Sequence, residues 1–401
     1  MKFNLKKTAA GILALAVTVS MCGCGDNGYL MTVDGMDIRN GIYLSFQQSA
    51  YNDAYSKIEE QNSSDDSSSG TSEIDVFSEN VENKSASDWI KEKTLKDVRK
   101  FVAVQRVCEE NGIALTEDEI AEMNSDLQST WNEENMYIQY VFGFDTAGEY
   151  YESLGVGMDS LREIRRANAL SDKLFLYYYD ADGVYPVTED EINGYLTENY
   201  AAVKLLTLNL TNYKGEALES DEDKAVVKAK ANSYAERLNN GESFIDVKYD
   251  FDLAAAQDKA RASAESAYTE DNEENLSEED YIQKAVDEAT AEKAEKLEDL
   301  DQFISKENST LDEHLTEYIW NAASDGKATV FEHDSEVYVV VREDVTAKDE
   351  WKKESNETIL KAIKSDEYDS LMELTYQNYE VELDEYLVNK KYAPEKTLKQ
   401  K

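Results

Sequence analysis

Few side chains in this 401-residue chain can carry acid–base, nucleophilic or metal chemistry. It has two histidines, His314 and His333, and three cysteines, Cys22, Cys24 and Cys108. Two histidines exclude a three-histidine zinc site. The chain has no G-x-S-x-G elbow, no P-loop and no H-E-x-x-H helix. Acids are plentiful, with 85 Asp+Glu against 41 Lys+Arg and a net charge of −44. A phosphate-tracking surface needs clustered Lys and Arg, so nucleic-acid binding is excluded. The acid clusters at Asp65-Asp66 and Asp271 to Glu274 lack the alternating Asp/Asn spacing of an EF-hand and read as solvated acidic loops. No metal and no cofactor is expected. The 26 tyrosines, among them Tyr150-Tyr151 and Tyr177-Tyr178-Tyr179, offer another kind of chemistry. They can line an amphipathic cradle for extended chains, or serve as ordinary core and surface residues.

The N-terminus has the layout of an address. Lys2, Lys6 and Lys7 precede an apolar run from Ala9 to Met21, which is too short to span a bilayer comfortably. Residues 1–23 therefore read as a signal peptide. Met21-Cys22-Gly23-Cys24 resembles the lipobox of bacterial lipoproteins, with Gly23 at the small position and Cys24 as the lipidated residue. The expected location is the extracytoplasmic face of a bacterial cell membrane, held by the lipid anchor. Loss of the three lysines takes the charge to −47. Cys108 is then the one cysteine beyond the anchor, and no intrachain disulfide is expected.

The elements that must position everything else follow from periodicity. Residues 29–39 read as a hairpin around Asp34-Gly35. Asn40 starts a helix with Ile42, Phe46, Ala50, Ala54 and Ile58 on one face, and residues 62–72 read as a disordered loop. A second helix runs from Ser87 or Asp88 to Glu110, with Gly112 as its C-cap. Thr116/Glu119 and Thr188/Glu191 both have capping-box spacing. Residues 145–180 and 224–238 read as helices, 202–210, 330–331 and 337–341 as strands, and 350–389 as helix. From Asp252 to Leu300 there are 16 acids and five bases, with a helix starting at Ser277. The fold class is α+β with a largely helical frame.

The order of these motifs resembles the parvulin-type peptidyl-prolyl isomerase and foldase lipoprotein family. The matching features are the VDG hairpin, the helix ending in ENGI, LTEDEI, and VTEDEINGYLTENY before a strand. The resemblance implies a helical chaperone module over 24–196, an inserted parvulin-like α/β domain over 197–346 with an acidic insertion at 253–310, and a helix over 347–401 packing back on the module. Carried over by residue, the family's first pocket histidine falls on Leu205 and its second on Tyr338. Gly241-Glu242-Ser243-Phe244 and Tyr249-Asp250-Phe251-Asp252 match the following motifs, so Asp252 keeps the family's acid. The prolyl slot falls on Leu311, Leu315, Tyr318 and Trp320, a spacing that plain helix core also produces.

Prolyl isomerisation crosses a barrier of about 18–20 kcal/mol and needs an apolar slot beside polar groups that favour the twisted amide. A leucine at 205 can neither donate nor accept a hydrogen bond. The resemblance therefore implies two functions. One is a membrane-anchored chaperone that binds unfolded secreted polypeptides, with catalysis lost or weak. The other is an active isomerase with an altered pocket built on Asp252 and Tyr338.

Overall fold

The structure, a computed structural model, describes residues 26, 28–63, 74–269, 276–323 and 326–398. The basic start, Cys22, Cys24, residues 64–72 of the expected loop, Asp65-Asp66 and Asp271 to Glu274 lie outside these. The chain forms β1 (Tyr29–Val33), β2 (Met36–Arg39), α1 (Asn40–Ser63), β3 (Asn80–Val81), β4 (Lys84–Ser85), α2 (Ala86–Glu110), α3 (Glu117–Asn132), α4 (Met136–Phe142), α5 (Ala147–Ser153) and α6 (Met158–Tyr179). It continues through α7 (Glu189–Asn199), β5 (Tyr200–Asn209), α8 (Asp221–Asn239), α9 (Phe244–Ala267), α10 (Glu278–Asp287), β6 (Gln302–Ser305), α11 (Glu313–Asn321), β7 (Ala328–His333) and β8 (Glu336–Glu343). Last come α12 (Asp349–Glu354), α13 (Asn356–Tyr376), β9 (Val381–Leu383) and α14 (Pro394–Thr397). Small antiparallel sheets set in a mainly helical chain make this an α+β protein.

Two compact units divide the chain. One joins the segment up to Pro186 to Lys364–Lys401; the other is Val187–Ile363. In the first, Asp34 and Gly35 both take positive φ, 48° and 75°, which the tight turn between β1 and β2 requires. The expected α1 stripe packs against α2: Ile42 joins Val98 and Val102, while Ala50, Ala54 and Ile58 join Trp89 and Ile90. Asn62 and Ser63 extend α1 into the range read as loop. Gly112 ends α2 in the left-handed region, at φ 67°. The Thr116/Glu119 capping box forms at the start of α3. The helix expected over 145–180 is two helices, because Gly155 takes φ 78° and breaks the run before α6. Cys108 carries a free, buried thiol that burial pushes up to about 11.

The helix expected over 350–389 stops at Tyr376. Val381–Leu383 instead pairs antiparallel with β1 as the third strand of the first sheet. The stripe that packs from α13 into the first unit is Tyr368, Met372 and Tyr376, spaced by four, and Leu374 is turned to solvent with 64% exposed.

The second unit is built on an antiparallel sheet of order β6-β5-β8-β7. Leu205 lies opposite Val340 and Thr207 opposite Tyr338, so odd positions of β5 share a face with even positions of β8. One face is covered by α8 and α9, through Tyr234, Ala235, Phe244 and Val247 on Leu206, Leu208, Val337 and Val339. The other is covered by α11, through Leu315, Ile319 and nearby Ala323 on Ala201, Val203 and Val340. The unit begins at Val187 and ends at Ile363, wider than the 197–346 read from sequence. The wider span has a packing reason: Leu196 of α7 and Ile359 of α13 share a cluster with Ala202 and Val345. The range read as an acidic insertion contains regular structure, including most of α9 and β6, which adds an edge strand to β5.

Candidate functional site

The α11 side of the second sheet is the candidate site. The N-terminus of α11 is fixed by Asp312, whose Oδ1 accepts the backbone N–H groups of His314 at 2.9 Å and Leu315 at 3.2 Å. Its C-terminus is held by Arg342, whose Nη1 donates to the carbonyl oxygen of Ile319 at 2.8 Å, a cation on the negative end of the helix. The helix thus lies across the sheet in a set register. Leu315 is its central contact and is 1% exposed. Around it sit the half-buried Leu205, Leu311, Tyr318, Trp320 and Phe331, with Tyr338 from the sheet.

The structure therefore brings Leu205, Leu311, Leu315, Tyr318, Trp320 and Tyr338 into one cluster. Leu315 is interior packing and offers no surface to a ligand. Trp320 lines a small cavity of about 270 Å³ with Tyr200, Ala201 and Arg342. A separate opening of about 350 Å³ is lined by Tyr318, Phe331, Glu317, His314 and His333. Tyr318 and Phe331 stack there with centroids 4.5 Å apart.

Asp252 is not in this cluster. It belongs to α9, which covers the opposite face, and its carboxylate accepts from Lys248 one turn earlier at 2.5 Å. Tyr249 to Asp252 is helix, so the acid that the resemblance carries into the pocket sits instead on α9. Tyr338 is 6% exposed and donates its hydroxyl to Glu336. Burial, with that hydrogen bond and the Glu336 charge, pushes its phenol well above the ordinary tyrosine value. The hydroxyl is a neutral donor already committed to one partner.

Sequence reasoning did not join the two histidines. His314 in the first turn of α11 and His333 at the end of β7 stack at 4.0 Å between centroids, 21° from parallel, with Asp312 beside both. Nothing in a separation of 19 residues announces this; the cue is the Asp312 cap, which puts residue 314 in the first turn of the helix beside the sheet rim.

No family model matches this chain and no curated protein matches it. Among solved structures, the foldase protein PrsA from Streptococcus pneumoniae str. Canada MDR_19A aligns over 77% of this chain and 93% of its own, at 11% identity and a TM-score of 0.27. PrsA from Bacillus subtilis aligns over 75% of this chain and 90% of its own, at 12% identity and a TM-score of 0.28. Scores this low give the likeness no weight for the site, whose reading rests on this chain's own residues. Among the described residues, no helix is long and apolar enough to cross a membrane.

Proposed function

We propose that this chain is a lipid-anchored, extracytoplasmic chaperone of foldase type that binds apolar and aromatic segments of unfolded secreted polypeptides. The observation that carries the reading is the aromatic opening of the second unit. Tyr318 and Phe331 stack in its lining, and the same cluster holds Leu205, onto which the resemblance carries the family's first pocket histidine. Such a surface attracts apolar side chains by burial, and Leu205 itself gives no hydrogen bond to a twisting amide. The helical unit adds a second apolar surface: Met136 and Tyr140 of α4 are 85% and 93% exposed, with Tyr137 beside them. The anchor is supported by the Gly23-Cys24 sequence and the apolar run before it. A charge of −47 on the mature chain supports solubility near anionic headgroups and favours basic client segments.

The test is aggregation of a denatured secreted protein, followed by light scattering with and without the purified chain. Delayed aggregation, weakened by Tyr318→Ala and Phe331→Ala in variants with unchanged circular dichroism, supports the reading. Aggregation at the same rate with and without the wild-type chain refutes it. Cys24→Ser blocks incorporation of labelled fatty acid if the anchor is as proposed. The alternative, an active isomerase with an altered pocket, is supported only by Tyr338 sharing a sheet face with Leu205. Acceleration of a prolyl-limited refolding reaction, lost on Tyr338→Phe, would favour it.

A further inference from the structure

We propose that Asp312, His314 and His333 form a binding site for one divalent transition metal of the zinc, nickel and copper class. The chain has two histidines in 401 residues, and the fold stacks them on each other at one rim of one sheet. Asp312 Oδ1 lies 3.7 Å from His314 Nδ1 and 3.9 Å from His333 Nε2, and one ligand atom from each of the three lies within 4.8 Å of the others. Bonds of about 2.0–2.2 Å in a tetrahedral zinc site put its ligand atoms roughly 3.3–3.5 Å apart. Closing the present geometry onto an ion therefore takes up to about half an ångström at the carboxylate, and the stacked imidazoles must open away from each other so that each ring nitrogen aims its in-plane lone pair at the ion. His314, on the first turn of α11 with 59% of its side chain exposed, has solvent beside it into which to rotate.

The chemistry of the set selects the class. Imidazole suits zinc, nickel and copper, whereas magnesium and calcium prefer oxygen ligands. The carboxylate is oriented before any ion arrives, because it also caps α11 through the His314 and Leu315 backbone N–H groups. Two successive elements supply the ligands, so an ion there clasps the first turn of α11 to the end of β7. The clasp lies at the lip of the opening lined by Tyr318 and Phe331. The proposal stands on the three ligands and does not depend on the chaperone reading.

The test uses the purified full chain, titrated with Ni²⁺ or Zn²⁺ in a large excess of Mg²⁺ to occupy plain carboxylates. With only two histidines, the imidazole C–H proton signals are few and directly assignable from single variants. Ni²⁺ is expected to broaden both sets together at one equivalent. His314→Ala and His333→Ala should each weaken Zn²⁺ binding, measured by calorimetry, by at least about tenfold. Asp312→Asn keeps a capping side chain and should also weaken binding, which separates the ligand from the cap. The proposal is overturned if no one-to-one binding occurs, if only one histidine broadens, or if the His314→Ala/His333→Ala double variant binds as the wild type does.

Discussion

Lys204 sits in the middle of β5 with its side chain 1% exposed, where a lysine needs a reason to be. Its Nζ contacts Asp301 at 2.6 Å and Glu343 at 2.6 Å, and Asp301 is 2% exposed. Lys348 closes the group, 2.8 Å from Asp301 and also paired with Glu343. Lys204→Met keeps the aliphatic stem and removes one cation from two anions. Breaking a buried pair costs about 3–5 kcal/mol, and because Lys348 still serves both anions the lower end, about 3 kcal/mol, is expected. For a unit of this size, each kcal/mol moves the midpoint by about 2–4 °C, so a fall of roughly 6–12 °C follows. Trp351 stacks on Phe303 at 4.3 Å, and both line one cavity with Asp301 and Lys348, so in a chain whose other three tryptophans are replaced by phenylalanine its fluorescence during urea unfolding reports the transition locally. The double variant Lys204→Met/Asp301→Leu leaves Lys348 with Glu343 and no orphan charge, and should recover most of the loss. A single variant within about 0.5 kcal/mol of wild type, the range of ordinary surface changes, would refute the buried network. So would a double variant whose loss is the sum of the two singles.

Three further outcomes follow from the geometry. Asp252→Ala should leave both client binding and prolyl-limited refolding unchanged, because Asp252 lies on the helix over the opposite sheet face; a clear loss in either assay would place it in the working site. Glu119 is held at about 2, below its ordinary 4.5, chiefly by Lys173 and then by the Thr116 backbone and hydroxyl. Its folded value is depressed, so its contribution is complete above about pH 4.5 and disappears as pH falls through about 2. Glu119→Gln should therefore separate from wild type in thermal scans at pH 6 and converge with it at pH 2. Cys108, with its thiol at about 11, should resist a disulfide-exchange reagent at pH 8 in the native chain and react on unfolding; rapid native labelling would contradict its burial.

The parts of the fold legible in the sequence are those where chemistry is local. The Asp34-Gly35 turn, the stripe of α1, the Gly112 terminator and the two capping boxes depend on residues within a few positions of one another. The α11 cluster was legible for a related reason: Leu311, Leu315 and Tyr318 recur at helical spacing, and β5 and β8 are mostly apolar strands, with Lys204 the exception within β5. Less local features were lost. Val381–Leu383 reads as helix in isolation and becomes a strand because β1 offers an edge. β6 lies in a polar, acidic stretch, and only the sheet reveals Ile304 as core. Asp252 looked like a pocket acid because Tyr249 to Asp252 matches the family's motif, whereas Phe244, Val247 and Phe251 form a helical stripe that turns Asp252 away. The histidine pair depends on a crossing of helix and strand, which no spacing rule contains.

The pairing of β9 with β1 has a consequence for the order of assembly. Met31 and Leu383 are register partners, and Gln47 is fixed by the Tyr392 carbonyl oxygen at 2.8 Å and the Thr397 hydroxyl at 2.6 Å. The first unit therefore stays incomplete until nearly the whole chain has emerged. Closing so long a loop is slow when everything between is unfolded, since contacts distant in sequence come late. If Val187–Ile363 folds first, it replaces most of that loop with one compact body and shortens the search. A nascent chain would then pass through a stage with one finished unit and a β1 edge still open, and that edge is where a stalled copy would pair with the wrong strand.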